Sequence, residues 1–285
     1  MFTAGLGAYW WANRHGNGVT GFLVKRRLWL ILLEFTVFRF VLDFSLFQGP
    51  ILLVVLWALG CSMIALGPMA RLPKPVLAAM SLGMITLHNL LDPIRDIGGL
   101  WKVLHQQGAF QVGSVTVVAA YPLIPWVGVM GAGYCFGEVM KAKSADWIRR
   151  FGLVLILGFV MLRLANIYGE PDLWDGSVLS FFKCTKYPPS LAFLLMTLGP
   201  ALALLGWFGH LDFSETNPLI VFGRTPLFYF IGHFYLARLI AVAHKGVELP
   251  GVYLIWIAVV VAMYPLCLWF MGVKERRSRW WLAYL

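Results

Sequence analysis

Apolar residues run along this chain in blocks of about twenty, the length that crosses the hydrocarbon core of a bilayer as a helix. Eight blocks approach or reach it: Leu28 to Phe47, Ile51 to Ala70, Val76 to Asp92, Val115 to Met140, Ile148 to Ile167, Pro189 to Gly209, Pro218 to Ala243 and Val252 to Gly272. A further block, Phe2 to Ala12, covers roughly two-thirds of a span. The pattern predicts an all-α fold: a polytopic transmembrane bundle of about eight full spans plus an N-terminal partial helix. The whole chain, 1–285, reads as one transmembrane domain, with the bundle over 1–272 and a basic cytoplasmic tail over 273–285. Aromatic residues gather near block ends, at Trp10, Trp11, Trp101, Trp126, Trp147, Trp174, Trp280 and Trp281, where amphipathic rings favour the headgroup level.

Composition agrees. With 60% hydrophobic and 13% charged residues and a mean hydropathy of +0.77, the chain lacks the polar surface of a water-soluble fold. The net charge of +10 does not mark a nucleic-acid protein, because Lys and Arg lie in short gaps between apolar blocks rather than on one element beside base-reading aromatics. Counted in alternate gaps, fourteen fall on one side (Arg14, Lys25, Arg26, Arg27, Arg71, Lys74, Lys141, Lys143, Arg149, Arg150, Lys274, Arg276, Arg277 and Arg279) and five on the other (Arg95, Lys102, Lys183, Lys186 and Lys245). The richer side is cytoplasmic. The C-terminus is therefore inside, and residue 1 starts outside or in the outer leaflet. A start there with half a helix predicts either a preceding span that is missing or a short re-entrant segment. The two long loops, about 93–114 and 168–187, are external. The four cysteines show no metal or disulfide spacing, no metal is expected, and there is no signal peptide.

Ionisable groups inside a span are costly and tend to face a cavity or a partner. Arg39 and Asp43 (i, i+4), His88 and Asp92 (again i, i+4, so that Asp92 would orient His88) with Asn89, and Arg163 with Asn166 (i, i+3) all fall at the external ends of their blocks. Tyr121 precedes two prolines, Pro122 and Pro125, that free backbone carbonyls, and Lys186 and Tyr187 stand before the helix that opens at Pro189. His233 and Arg238 follow in the block from Pro218. These groups predict a polar cavity open to the outside, with structural ion pairs as the alternative. His233 on its own reads equally as a core histidine donating to a helix neighbour. On the cytoplasmic side, Glu34 and the Gly223-Arg224-Thr225-Pro226 break suggest a second site, with Arg224 holding a phosphate or carboxylate or else snorkelling to headgroups.

The segments FTAGLGAYW, KRRLWLILLEFTVFRF, LHNLLD, AYPLIPWVGVMGAGY, LRLANIYG, TKYPPSLAFLLMTLGPAL and NPLIVFGRTPLFYFIGHFYLARLIA, taken in order, resemble the heparan-α-glucosaminide N-acetyltransferase-like family of bacterial membrane proteins. The likeness runs from residue 1 to about 272. It implies a transmembrane acyltransferase that moves an acetyl or acyl group from cytosolic acetyl-CoA, or another acyl-CoA, to an extracytoplasmic sugar or glycan. It also implies a bacterial cytoplasmic membrane, lipids as surroundings and no nucleic-acid partner; a homodimer is left open. The family's usual first helix and its loop histidine have no match in this chain. On this reading His88, Asp92 and His233 are the catalytic candidates. Arg39, Asp43, Asn89, Tyr121, Arg163, Asn166, Lys186, Tyr187 and Arg238 are expected to bind the acceptor or its oxyanion, and Arg224 and Glu34 to serve the coenzyme. A transporter or flippase using the same cavity, and a non-catalytic truncated homologue, are the alternatives.

Overall fold

A computed structural model describes residues 1–15, 19–43, 49–95, 97–243 and 247–276. Those residues are predominantly helical and divide into two compact units.

The larger unit covers Met1–Ile31 and Gly49–Leu211. Its centre is α7 (Leu123–Ala142), flanked by α1 (Phe2–His15), α4 (Val55–Met69) and α5 (Lys74–Leu87), while α8 (Ala145–Ala165) and α10 (Leu191–Phe208) pack along each other. Helix starts follow their caps: Ser144 accepts from the Trp147 amide at 3.3 Å and Ser190 from the Phe193 amide at 3.0 Å. In lipid, apolar contact alone does not drive helices together, and close approach through small residues does. A Cβ on Gly5 of α1 would fall on the Met130 carbonyl, one on Gly133 of α7 on the Phe2 carbonyl, and one on Gly152 of α8 on the Ala203 backbone. Around these crossings Phe136, Ile148 and Leu202 form one buried cluster and Ile85, Val129 and Leu194 another.

Two predicted blocks begin as strands. Ile51–Leu53 (β1) pairs parallel with Val115–Ala119 (β3), which pairs antiparallel with Gly108–Val112 (β2), giving the sheet order β1-β3-β2. The all-α expectation is corrected to this extent: a small three-stranded sheet accompanies the helices. The block from Val115 is β-branched at its start, and Pro122 and Pro125 keep Tyr121 and its neighbours out of a continuous helix, so α7 opens at Leu123. The Gly113-Ser114 link, with Gly113 at φ +60°, closes the β2–β3 hairpin, so the second half of the predicted loop 93–114 has regular structure.

The smaller unit covers Leu32–Gln48 and Asp212–Leu285. Helix α2 (Val19–Leu33) belongs to the larger unit as far as Ile31; the smaller unit takes up its last residues, then a π-helical turn, Glu34–Phe38, and α3 (Arg39–Asp43). Asn217 caps α11 (Pro218–Arg224), and α12 (Pro226–Ala243) leaves it at a bend of 98°, after which comes α13 (Leu249–Arg276). Pro226 cannot donate to the α11 ladder, which is why the helix breaks there.

Among the described residues, three helices are long and apolar enough to cross a membrane, α7, α10 and α13, and a fourth span results if α11 and α12 count as one. The eight full spans are thus not confirmed. The shortfall has local causes. The Ile51 block loses its first residues to β1, and the α-helical part of the Val76 block ends at Leu87. Helix α8 has 21 residues but carries Asp146, Arg149, Arg150 and Arg163. Its outer face nevertheless exposes Leu153, Val154, Leu157, Met161 and Leu164 at helical spacing, a stripe suited to lipid and not to water. Of the predicted basic groups, Lys245, Arg277 and Arg279 lie outside the described residues.

Candidate functional site

After Leu87 the helix tightens into a 3₁₀ turn, His88–Leu91, which carries His88 and Asn89 inward to 2% and 8% exposure. The tightening changes which side chains meet. With about three residues per turn, i and i+3 come into line, so Asp92 joins Asn89, whose Nδ2 donates to its Oδ2 at 2.8 Å. The other Asp92 oxygen, Oδ1, lies 3.1 Å from Nε2 of His105. His105 is as buried as His88 and was not among the residues singled out from sequence. It is placed by α6 (Gly99–Leu104), a short helix inside the loop 93–114, where its amide donates to the Trp101 carbonyl at 2.7 Å. His88 lies near the Pro189 carbonyl outside hydrogen-bond geometry, and neither of its ring nitrogens has a hydrogen-bond partner; Nδ1 of His105 lacks one too. One donor atom each from His88, Asp92 and His105 lie within 4.8 Å of one another.

A second layer fixes this cluster to the TKYPPS segment. Asn89 Oδ1 accepts from the Leu191 amide at 3.0 Å. The neighbouring Ser190 hydroxyl donates to Glu170 at 2.6 Å. Glu170, 8% exposed, also accepts the Thr185 amide at 3.0 Å and the Thr185 hydroxyl. Sequence reading missed Glu170, although its place just after Gly169, a left-handed residue at φ +82°, marks a tight turn into the loop. Tyr187 donates to Tyr121 at 2.9 Å, and the exposed Lys186 ammonium stands 5.1 Å from the Tyr187 ring centre. Beside them, burial and then the Glu170 carboxylate push the Cys184 thiol up to about 11. At pH 8 about one Cys184 in a thousand is then thiolate, so alkylation by iodoacetamide, followed by mass spectrometry, is expected to be far slower at Cys184 than at a free thiol in the unfolded protein.

Arg163 and Asn166 do structural work. The 2%-exposed Arg163 donates to the carbonyls of Phe181 and Asp172, both at 3.1 Å, and to those of Ser180 and Lys183. Asn166, left-handed at the end of α8, closes a ring with the Trp174 backbone, donating at 3.0 Å and accepting at 2.7 Å. Together they hold the loop over 168–187, which contains the short helix α9 (Val178–Phe182). A recess of about 480 Å³ beside Arg163, lined also by Asp172, Asp175, Ser177 and Lys183, contains none of His88, Asn89 or Lys186.

In the smaller unit, His233 Nδ1 lies 3.0 Å from the Tyr229 carbonyl and its ring stacks on Tyr229, which is the core role left open for it. Arg224, at the α11 break, is 3.3 Å from Glu215 and 3.5 Å from Glu275, with Lys274 donating to its carbonyl at 3.3 Å. Glu34 is buried at 2% exposure, Arg39 is partly buried in α3, and Arg238 is exposed on α12. The Asp43 side chain lies outside the described residues.

In the larger unit of a helical protein with lipid-suited faces, a half-buried carboxylate thus meets one buried imidazole beside a second, a set of groups able to exchange protons. Residues 1–174 match the family model for heparan-alpha-glucosaminide N-acetyltransferase, catalytic, and the chain belongs to that family. Its function is accordingly membrane acetyltransferase-like, in a family that depends on acetyl-CoA. No curated protein and no solved structure matches the chain significantly.

Proposed function

We propose that the chain transfers an acetyl or other acyl group from cytosolic acyl-CoA to an amine or hydroxyl of an extracytoplasmic sugar or glycan, across a bacterial cytoplasmic membrane whose inner side holds the C-terminus. The observation that carries this is the Asp92–His105 pair, its imidazole buried and its carboxylate half-buried, beside the buried His88. If Asp92 accepts the Nε2 proton of His105, the lone pair on Nδ1 is free to act as a base. His105 removes the acceptor proton as the acceptor nitrogen or oxygen attacks the acyl carbonyl, and the coenzyme thiolate leaves with the electron pair of the broken C–S bond. His88 is the adjoining proton relay, and Lys186, Tyr187 and Tyr121 supply donors for the acceptor. Arg224 with Lys274 is the candidate for the coenzyme phosphates. Its present carboxylate partners are exposed, and surface ion pairs of this kind contribute about 0–1 kcal/mol, which a phosphate can displace.

The test uses membrane vesicles of defined orientation, with radiolabelled acetyl-CoA on the cytoplasmic face and an amino sugar on the other. Label is expected in the sugar, and loss of it in His105→Ala. An unlabelled sugar carried across intact would establish a transporter instead, and no transfer to any sugar amine or hydroxyl would contradict the proposal.

A further inference from the structure

We propose that His88, Asp92 and His105 form a Zn²⁺ site. Two imidazoles and a carboxylate are the donors that zinc takes in sites with three protein ligands and one open position. The 3.1 Å between Asp92 Oδ1 and His105 Nε2 is close to the roughly 3.3 Å edge of a tetrahedron with bonds of about 2.0–2.1 Å. The third donor, from His88, lies within 4.8 Å of both, a gap that modest side-chain rotations close.

The independent sign of a ligand is His88 itself. It is 2% exposed and, although the Pro189 carbonyl lies near, neither ring nitrogen has a hydrogen-bond partner, a costly state for a buried polar group. A cation between the rings gives it the partner it lacks. The surroundings suit a metal site as well: Asn89 holds the second carboxylate oxygen at 2.8 Å and is itself fixed by the Leu191 amide, the kind of outer support that orients ligands. The donors come from the end of α5 and from the loop after α6, so an ion would cross-link the external loop to the bundle. The three residues also serve the proposed acyl transfer, but metal binding does not rest on that reading. An imidazole nitrogen bound to zinc is not a base, so an ion held by Asp92 Oδ1 and His105 Nε2 would occupy the atoms that pair in the proposed acyl transfer.

The full chain, purified in detergent with no histidine tag, is dialysed against Zn²⁺ and its metal content measured. One equivalent per chain is expected, bound at micromolar concentration or tighter, with affinity at least tenfold lower in His88→Ala and in His105→Ala and unchanged in His233→Ala. Co²⁺ should give the strong visible bands of a tetrahedral site, lost on adding Zn²⁺. That reading on the unaltered protein decides the matter if a variant fails to fold. Substoichiometric zinc, binding that both variants retain, or an absence of tetrahedral Co²⁺ bands would overturn the site. Stoichiometric zinc without acetyl transfer would remove the acyltransferase reading alone, and transfer by protein that binds no zinc would remove the metal site alone.

Discussion

Replacing His105 by Ala is expected to lower acetyl transfer by about two to four orders of magnitude, the range in which a positioned general base contributes. Its environment is the reason. A buried histidine with its Nε2 at 3.1 Å from a half-buried carboxylate is fixed in tautomer and orientation, and Asn89 fixes that carboxylate in turn. His233→Ala should behave differently: its ring is spent on the Tyr229 carbonyl and on stacking within the aromatic core, so a loss of stability with most of the activity kept in the surviving protein is expected. Acetyl transfer per folded molecule, measured in membranes, separates the two outcomes.

Gly5→Leu should prevent α1 from docking and cost about 3 kcal/mol or more, because the new side chain meets backbone, which cannot rotate away. Gly7→Leu, two residues along the same helix, faces open space and should be tolerated. The comparison is internal to one helix, so propensity is matched and packing alone differs. Thermal unfolding of the two variants in the same detergent is the measurement; equal stability would show that the α1–α7 crossing does not depend on close backbone approach.

How much of this was legible in the sequence depends on what each signal encodes. Block length and composition identified a membrane protein and located helices such as α7, α10 and α13, because apolar runs report where backbone must be satisfied internally. They could not show that Ile51–Leu53 and Val115–Ala119 leave their blocks to pair as strands, since a short apolar run reads alike in either state. The cluster was half visible. His88, Asn89 and Asp92 stood out as polar groups at a span's end, but helical spacing assigned Asp92 to His88. The 3₁₀ turn assigns it to Asn89, and His105 arrives from thirteen residues away in a loop that gave no periodic signal. Arg163 and Asn166 were conspicuous for the same reason as His88, a polar group at a span's end. The carbonyls they bind belong to the loop over 168–187, whose path no local pattern reveals.

In the proposed mechanism Asp92 acts through His105. A double-mutant cycle on acetyl transfer with Asp92→Asn and His105→Ala tests it most directly. If the pair works as a unit, the double variant is no slower than His105→Ala alone; if the two losses multiply, Asp92 and His105 act separately and the account of the site is contradicted.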